Sequence, residues 1–187
     1  MSAVKPAMKA VFGAMTIGKP GTSPTTEAVQ RLPPRGRGRA GAVRACAANG
    51  VALYVFNPLA GGFLTSSRYR RGQREFADGE RFDPGRWQGR LFHGRCWNDP
   101  MWQALEGLRP VAKKRGLAEV QCALRWLAHH SALSEELGDA VVVGASGPQH
   151  VENNLAALGQ GPLPDDVVEA LDAGWAKTRA LPLKFWH

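Results

Sequence analysis

The stretch Ala140-Val141-Val142-Val143-Gly144-Ala145-Ser146-Gly147 places four apolar residues directly before a turn that contains two glycines. An apolar run without polar alternation is typical of a strand buried on both faces of a parallel sheet. A helical pattern over residues 148–158 follows, and its Val151, Leu155 and Leu158 are expected to face inward. This strand–turn–helix unit predicts an α/β fold.

A second apolar run, residues 51–56, lies between Gly50 and the pair Asn57-Pro58 and predicts another strand buried on both faces. Residues 66–98 are rich in Arg, Gly and Trp and show no period, which predicts a long loop. A third short strand is predicted at residues 8–13, and further helices at 42–48, 100–115, 118–130 and 164–178. Strands that alternate with helices indicate a parallel sheet.

The helix over residues 100–115 has the clearest boundary signals in the sequence. Asp99 is expected to cap it, because Pro100 would then occupy the first helical position. Pro110 lies inside the pattern and is expected to kink the helix, and Gly116 is expected to end it.

The length and composition fit one globular domain. The chain has 187 residues, of which 44% are apolar and 21% are charged, so a sizeable core is possible. No apolar run approaches the ~18 residues that span a bilayer. Lys5 and Lys9 interrupt the start of the chain, which does not match a secretory signal, and the three cysteines show no CxxC spacing. We therefore expect a cytoplasmic protein that does not bind membranes.

The positive charge is concentrated near the start of the chain. The net charge is +8, and residues 1–50 hold eight Lys or Arg against one acidic residue. Four arginines lie among Pro and Gly at residues 30–41, a composition that predicts a linker over residues 19–50. Arg-Gly stretches also bind RNA, but no aromatic residue is interleaved here, so a solvated linker is favoured over a nucleic-acid site.

The turn at residues 144–147 is the strongest candidate for a ligand site. Ser146 is expected to cap the following helix, and Gly147 would let a ligand approach the backbone. The amides and the dipole at a helix start favour anions, and phosphates bind at such places in βα barrels. A simple helix cap without a ligand explains the pattern equally well, and the sequence leaves both interpretations open.

The segment of residues 57–65, Asn-Pro-Leu-Ala-Gly-Gly-Phe-Leu-Thr, is the second candidate. It directly follows a predicted strand, and loops at strand carboxyl ends hold ligands in α/β folds. Its adjacent glycines, Gly61 and Gly62, indicate a close backbone approach. Taken alone, a tight turn is the better interpretation.

No metal site is expected. His129 and His130 lie near a predicted helix end, where the macrodipole favours cations, so we interpret them as capping residues. His93 and Cys96 have no further ligands at zinc spacing.

Four motifs together resemble the C-terminal part of the aldo-keto reductases. They are Phe56-Asn57-Pro58-Leu59-Ala60-Gly61-Gly62, the Trp87-to-Trp97 segment, Ala123-Leu124-Arg125-Trp126 and Gly144-Ala145-Ser146. The nearest branch is similar to the aflatoxin-aldehyde (succinic semialdehyde) reductases, in a fungal-like version. The resemblance covers residues 49–187, and residues 12–18 also resemble the family's first strand and its loop. It implies a (β/α)8 (TIM) barrel that reduces aldehydes and ketones with NADPH.

The resemblance also implies which residues hold NADP(H). The Asn-Pro-Leu-Ala-Gly loop would hold the pyrophosphate, and Arg68 would meet the 2′-phosphate. His150 stands where the family usually has Gln, and Asn153 where it has Glu. Phe92 and Arg95 match the positions of a substrate-facing Tyr and Arg, although Phe92 lacks the hydroxyl. The implied cofactor set is Asn57, Pro58, Leu59, Ala60, Gly61, Gly62, Arg68, Ser146, His150, Asn153 and Asn154.

The chain departs from the family by an absence. A complete barrel takes about 250 residues, and strands two to six have no counterpart here, so we expect an incomplete (β/α)8 barrel. The family's catalytic Asp, Tyr, Lys and His lie on those strands, and neither Tyr54 nor Tyr69 matches their pattern. No catalytic residue is therefore assigned. The expected parts are residues 1–18 as a first-strand remnant, 19–50 as the linker and 51–187 as the C-terminal barrel part.

Two functions are favoured over the third hypothesis, an Arg-Gly-tailed nucleic-acid-binding protein. The first is an NADPH-dependent aldehyde or ketone reductase that is truncated and inactive alone. The second is a non-catalytic remnant that binds the cofactor or a partner chain. Three strands cannot close a barrel, so open strand edges and self-association are expected in both cases.

Overall fold

The computed structural model describes residues 10–12, 41–65, 69–77, 80–179 and 181. Its three strands are β1 (Ala10–Phe12), β2 (Tyr54–Phe56) and β3 (Ala140–Val143). They form one parallel sheet in the order β1-β3-β2, in which Val141 pairs with Ala10 and Val142 with Phe56. The predicted parallel α/β sheet is confirmed in the described part of the chain, with shorter strands than the apolar runs indicated.

Six α-helices accompany the sheet in the described residues. They are α1 (Gly41–Ala48), α2 (Trp87–Cys96), α3 (Asp99–Lys114), α4 (Glu119–His129), α5 (Pro148–Leu158) and α6 (Asp165–Thr178). Short 3₁₀ turns cover Ala60–Gly62 and Glu135–Leu137. Five of the helices were predicted from the sequence. None of the helices in the described ranges is long and apolar enough to span a bilayer.

Helix α2 corrects the prediction of a loop over residues 66–98. Its sequence lacks an apolar stripe because the helix packs through Gly89, Cys96 and aromatic rings. The aromatic cluster, as we call it, joins α2 to the start of α3 and to the segment before α2. Its rings belong to Phe63, Tyr69, Phe76, Phe82, Phe92, His93, Trp97 and Trp102.

The burial of β2 also differs from the prediction. Val55 is fully buried, but Tyr54 is 55% exposed and Val51 lies outside the strand at 53% exposed. The physical reason is the strand order: β2 pairs with β3 on one side only in the described residues. By contrast, the central strand β3 is buried along nearly its whole length, as predicted.

One local detail of α3 differs from the prediction. Asn98, not Asp99, is the N-cap, and its side-chain oxygen accepts from the Met101 amide at 3.1 Å. Helix α3 continues through Pro110 to Lys114. The predicted stop is confirmed, since Gly116 has a positive φ of 65°.

In α5 the inward face also differs from the prediction. Leu155 is 41% exposed, while Asn154, Ala157 and Leu158 are buried. Asn154 lies inward because its amide nitrogen donates to the Gly144 carbonyl at 3.4 Å. A buried polar side chain that is hydrogen-bonded thus takes the place expected for leucine.

The packing of α2 makes Gly89 a specific test of the fold. A Cβ at Gly89 would collide with the backbone carbonyl of Asp83, whereas a Cβ at Gly94 meets no atom within 4 Å. We expect Gly89→Ala to lower the free energy of unfolding by about 3 kcal/mol through overpacking. Gly94→Ala, the matched control in the same helix, should raise it by about 0.5 kcal/mol through helix propensity. Urea denaturation measures both, and equal effects would contradict the packing of α2.

Candidate functional site

The loop at residues 57–62 leaves the carboxyl end of β2 in a left-handed conformation. Asn57 and Ala60 have φ of 56° and 51°, and Gly61 and Gly62 have φ of 70° and 100°. The Asn57 side chain stabilises this turn, because its Oδ1 accepts from the Gly61 amide at 2.6 Å. The loop is therefore a defined turn with its own side-chain bridge.

The two adjacent glycines have different surroundings. A Cβ at Gly61 would lie 2.6 Å from Cδ1 of Phe92, so this glycine makes room for the aromatic ring of α2. At Gly62 the nearest atom would be Oγ1 of Thr65, at 4.0 Å. Gly62 is thus the position of the pair that leaves space beside the backbone.

The backbone amides of this loop are engaged within the loop. The Ala60 amide donates to the Asn57 carbonyl at 3.1 Å, and the Gly62 amide donates to the Leu59 carbonyl at 2.9 Å. The amides of Phe63 and Leu64 likewise donate to carbonyls of the same turn. A ligand at this loop would therefore contact its side chains and backbone surface, because these amides already have hydrogen-bond partners.

The turn after β3 forms the second part of the site. Gly147, not Ser146, is the N-cap of α5, and it makes no side-chain cap bond. Ser146 Oγ lies 2.8 Å from Nδ1 of His150 instead. Ser146 and His150 are both exposed at the helix start, where the backbone dipole favours an anion.

The two asparagines of α5 face different ways. Asn154 is buried and anchors the Gly144 carbonyl, as described above. Asn153 is exposed, and its Oδ1 accepts a hydrogen bond from the side-chain Nε2 of Gln149 at 3.3 Å. Only Asn153 therefore presents its side chain to solvent.

Asp139 fixes the relative position of β2 and β3, and sequence reasoning missed it. Its carboxylate is buried and accepts two hydrogen bonds from backbone amides. Oδ1 accepts from the Leu53 amide and Oδ2 from the Ser134 amide, at 2.8 Å each. The Ala140 amide in turn donates to the Leu53 carbonyl at 3.1 Å. The signal in the sequence is an acidic residue directly before an apolar run.

The predicted substrate residues lie on α2. Phe92 packs against Gly61 and contacts the Phe82 ring, with 5.7 Å between centroids. The Arg81 guanidinium carbon lies over the Phe92 ring, 5.5 Å from its centroid. Arg95 is half-buried on the same helix. Arg68 lies outside the described residues.

The thiols of Cys96, which contacts the loop, and of Cys122 on α4 are not nucleophiles at neutral pH. Burial raises the pKa of Cys96 to about 12 and that of Cys122 to about 11, so both are protonated at neutral pH. Sγ of Cys96 lies 3.8 Å from the Ala60 carbonyl oxygen and packs against the back of the loop.

The two adjacent histidines hold the chain after α5. With Nε2 protonated, His129 donates to the Gln160 carbonyl at 2.6 Å, and His130 Nε2 accepts the Leu163 amide at 3.0 Å. His130 is the C-cap of α4 and His129 lies in its last turn, as predicted, and both side chains also bond to the segment after α5. Within the described ranges, no three His, Cys, Asp or Glu side chains come together as metal ligands would.

Comparison with known proteins identifies the family. The aldo/keto reductase family model matches residues 11–176. The chain belongs to this family. A complete barrel of this type has eight strands, and the described residues hold three, so the predicted incomplete (β/α)8 barrel is confirmed.

The relatives confirm the predicted branch. The chain is 48% identical over 137 residues to the aldo-keto reductase pigE of Monascus ruber. The matched region covers 72% of this chain and 40% of pigE. It is 36% identical over 131 residues to aflatoxin B1 aldehyde reductase member 2 of Rattus norvegicus. This match covers 67% of this chain and 35% of the rat protein. The chain therefore spans about two fifths of the length of these relatives.

Among solved structures, a glycerol dehydrogenase of Gluconobacter oxydans is similar with a TM-score of 0.49 and 17% identity. The match covers 76% of this chain and 39% of the dehydrogenase.

The aromatic cluster beside the site predicts a pH dependence of stability. Burial lowers the pKa of His93, whose ring stacks on Trp97 with 4.7 Å between centroids. Its Nε2 is buried without a hydrogen-bond partner among the described residues. Unfolded His93 therefore binds a proton more readily, and stability should fall as pH drops below about 6.5.

The variant His93→Phe keeps a ring in the cluster and removes this titration. We expect its free energy of unfolding, measured by urea denaturation between pH 8 and pH 5, to decline less on acidification than that of the wild type. Parallel pH profiles for the two proteins would show that His93 does not carry the effect.

Proposed function

We propose that this chain is the NADPH-binding, C-terminal part of an aldehyde or ketone reductase. The observation that carries the proposal is the placement of the loop at residues 57–62 and the turn at 144–147. Both leave the carboxyl ends of β2 and β3, which are neighbours in one parallel sheet. Ligands bind at this edge in α/β folds, and the family to which the chain belongs contains oxidoreductases that use nicotinamide cofactors.

The chemistry of this edge suits the phosphate-rich half of NADPH. Ser146 and His150 are exposed donors at a positive helix end, which favours the adenosine phosphate. Open space at Gly62 would let the pyrophosphate pass along the loop, with contacts from Asn57 to Gly62. Arg68 would pair with the 2′-phosphate, and Asn153 and Asn154 would bound the adenosine end. When bound, the cofactor would supply the hydride.

The substrate side is proposed for the carbonyl group of a small aldehyde or ketone. Arg95 would attract polar or negatively charged parts of the substrate, since it is half-buried on the helix that packs against the cofactor loop. Phe92 would offer a ring without the hydrogen bond that a tyrosine makes.

We propose that the chain alone does not catalyse the reaction. Carbonyl reduction needs a proton donor near the hydride acceptor, and the two tyrosines do not meet this need. Tyr54 pairs with Ala140 at the amino end of β3, opposite to the cofactor loops. Tyr69 is 3% exposed within the aromatic cluster. A non-catalytic remnant that binds the cofactor or a partner chain is the alternative, and the same loops favour it.

We propose that the open sheet favours self-association. We also propose that the protein is located in the cytoplasm. Tyr54 and Val51 expose apolar surface beside β2, and this is the kind of edge that pairs with another chain. The described cysteines are free thiols, as in a reducing compartment. The arginines at residues 31–39 are proposed as solvated linker residues.

Binding of the cofactor tests the proposal directly. NADPH should quench tryptophan fluorescence of the full chain with weak affinity, and Ser146→Ala should raise Kd about fivefold through the loss of one hydrogen bond. The control Ser134→Ala changes a serine near the opposite end of β3 and should bind as the wild type does. An affinity indifferent to Ser146, or equal for NADPH and NADH, would contradict the proposed site.

The proposed lack of catalysis is tested by cofactor consumption. With NADPH and an aromatic aldehyde, the purified chain should oxidise NADPH no faster than a protein-free sample, because it lacks the general acid. The measurement is absorbance at the nicotinamide band. Turnover that disappears in Tyr54→Phe or Tyr69→Phe would instead identify the proton donor and favour an active enzyme.

A further inference from the structure

The loop at residues 57–62 contains a non-glycine residue in a strained conformation. Ala60 has a φ of 51°, a region that costs an alanine about 1–2 kcal/mol. Asn57, at 56°, tolerates this region better because of its short polar side chain. Such residues persist where the surrounding structure determines their conformation. Contacts from outside the loop would therefore add to the support that its internal hydrogen bonds give.

Helix α2 provides two contacts that hold the loop. The Phe92 ring occupies the space beside Gly61 that any side chain there would fill. One turn later on α2, Cys96 packs its Sγ 3.8 Å from the Ala60 carbonyl oxygen. Residues four apart share one helix face, so a single face of α2 backs the strained part of the loop.

The Phe92 ring is itself held in place. Its centroid lies 5.7 Å from the centroid of the Phe82 ring. The guanidinium carbon of Arg81 lies over the ring, 5.5 Å from the same centroid. Phe82 is fully buried in the aromatic cluster. The ring is therefore a fixed part of the wall behind Gly61.

We infer that Phe92 is a positioning residue that keeps the loop at residues 57–62 in its cofactor-binding conformation. This inference rests on the proposed function, because it concerns the same NADPH site. Phe92 acts through Gly61 and need not touch the cofactor. Loss of the ring lets the loop leave the left-handed turn, and the apparent affinity then falls in proportion to the fraction of molecules that keep it.

The aromatic cluster offers a matched control for this role. Phe76 is also half-buried, and it contacts the rings of Tyr69, His93 and Trp97 without a ring contact to Phe92. Phe92→Ala and Phe76→Ala should lower the thermal midpoint by similar amounts. Only Phe92→Ala should raise the Kd for NADPH, by about tenfold if one molecule in ten keeps the loop conformation.

Two further measurements separate positioning from general damage. Phe92→Tyr keeps the ring and should bind NADPH like the wild type, while Phe92→Leu should be intermediate and remain folded if the alanine variant does not. Amide hydrogen exchange in Phe92→Leu should accelerate at residues 60–64, whose amides close the loop, and not in β3.

The outcomes distinguish this inference from the proposed function. If the wild type does not bind NADPH, the proposed function fails and the inference falls with it. If the wild type binds and Phe92→Ala binds equally well, only the role of Phe92 is overturned. Equal losses of affinity in Phe92→Ala and Phe76→Ala would also overturn it, because a general loss of stability would then explain both.

Discussion

The buried carboxylate of Asp139 sets the register on which the site depends. It accepts hydrogen bonds from the backbone amides of Leu53 and Ser134, at 2.8 Å each. These bonds join the segments that precede β2 and β3 at one end of the sheet. A shift of register by one residue would turn every side chain to the opposite face. For β2 this would take Val55 out of the core and change where the loop at residues 57–62 begins relative to the end of β3.

The aromatic cluster performs the second structural task, which is to support the loop after β2. Phe63, the residue after the 3₁₀ turn, packs its ring 4.8 Å from Trp102 of α3, so the loop is anchored to the helical layer. Arg109 reinforces that layer: it pairs with the buried Glu119 of α4 at 2.7 Å and donates to the Tyr69 carbonyl at 2.9 Å. Removing one partner of such a buried pair is costly, because the other charge stays desolvated.

The two candidate loops lie at the same edge of an open sheet. The edge formed by the loop at 57–62 and the start of α5 belongs to strands that are present and packed. The described sheet has three strands, whereas the closed barrel of the family has eight. The described residues at the ends of β2 and β3 can therefore shape one wall of a site.

Apolar runs and helical periods in the sequence determined most of the fold, including β3, α3 to α6 and the parallel α/β class, because burial of an apolar face depends on local patterns. Helix α2 escaped prediction, since aromatic rings and Gly89 pack it without a regular stripe. The sequence motifs also indicated the family and both loops. Only the tertiary structure decided that Gly61 makes room for Phe92 and that Asp139 bridges β2 and β3. Those contacts join residues whose proximity depends on how whole elements pack, and no local spacing in the chain encodes that distance.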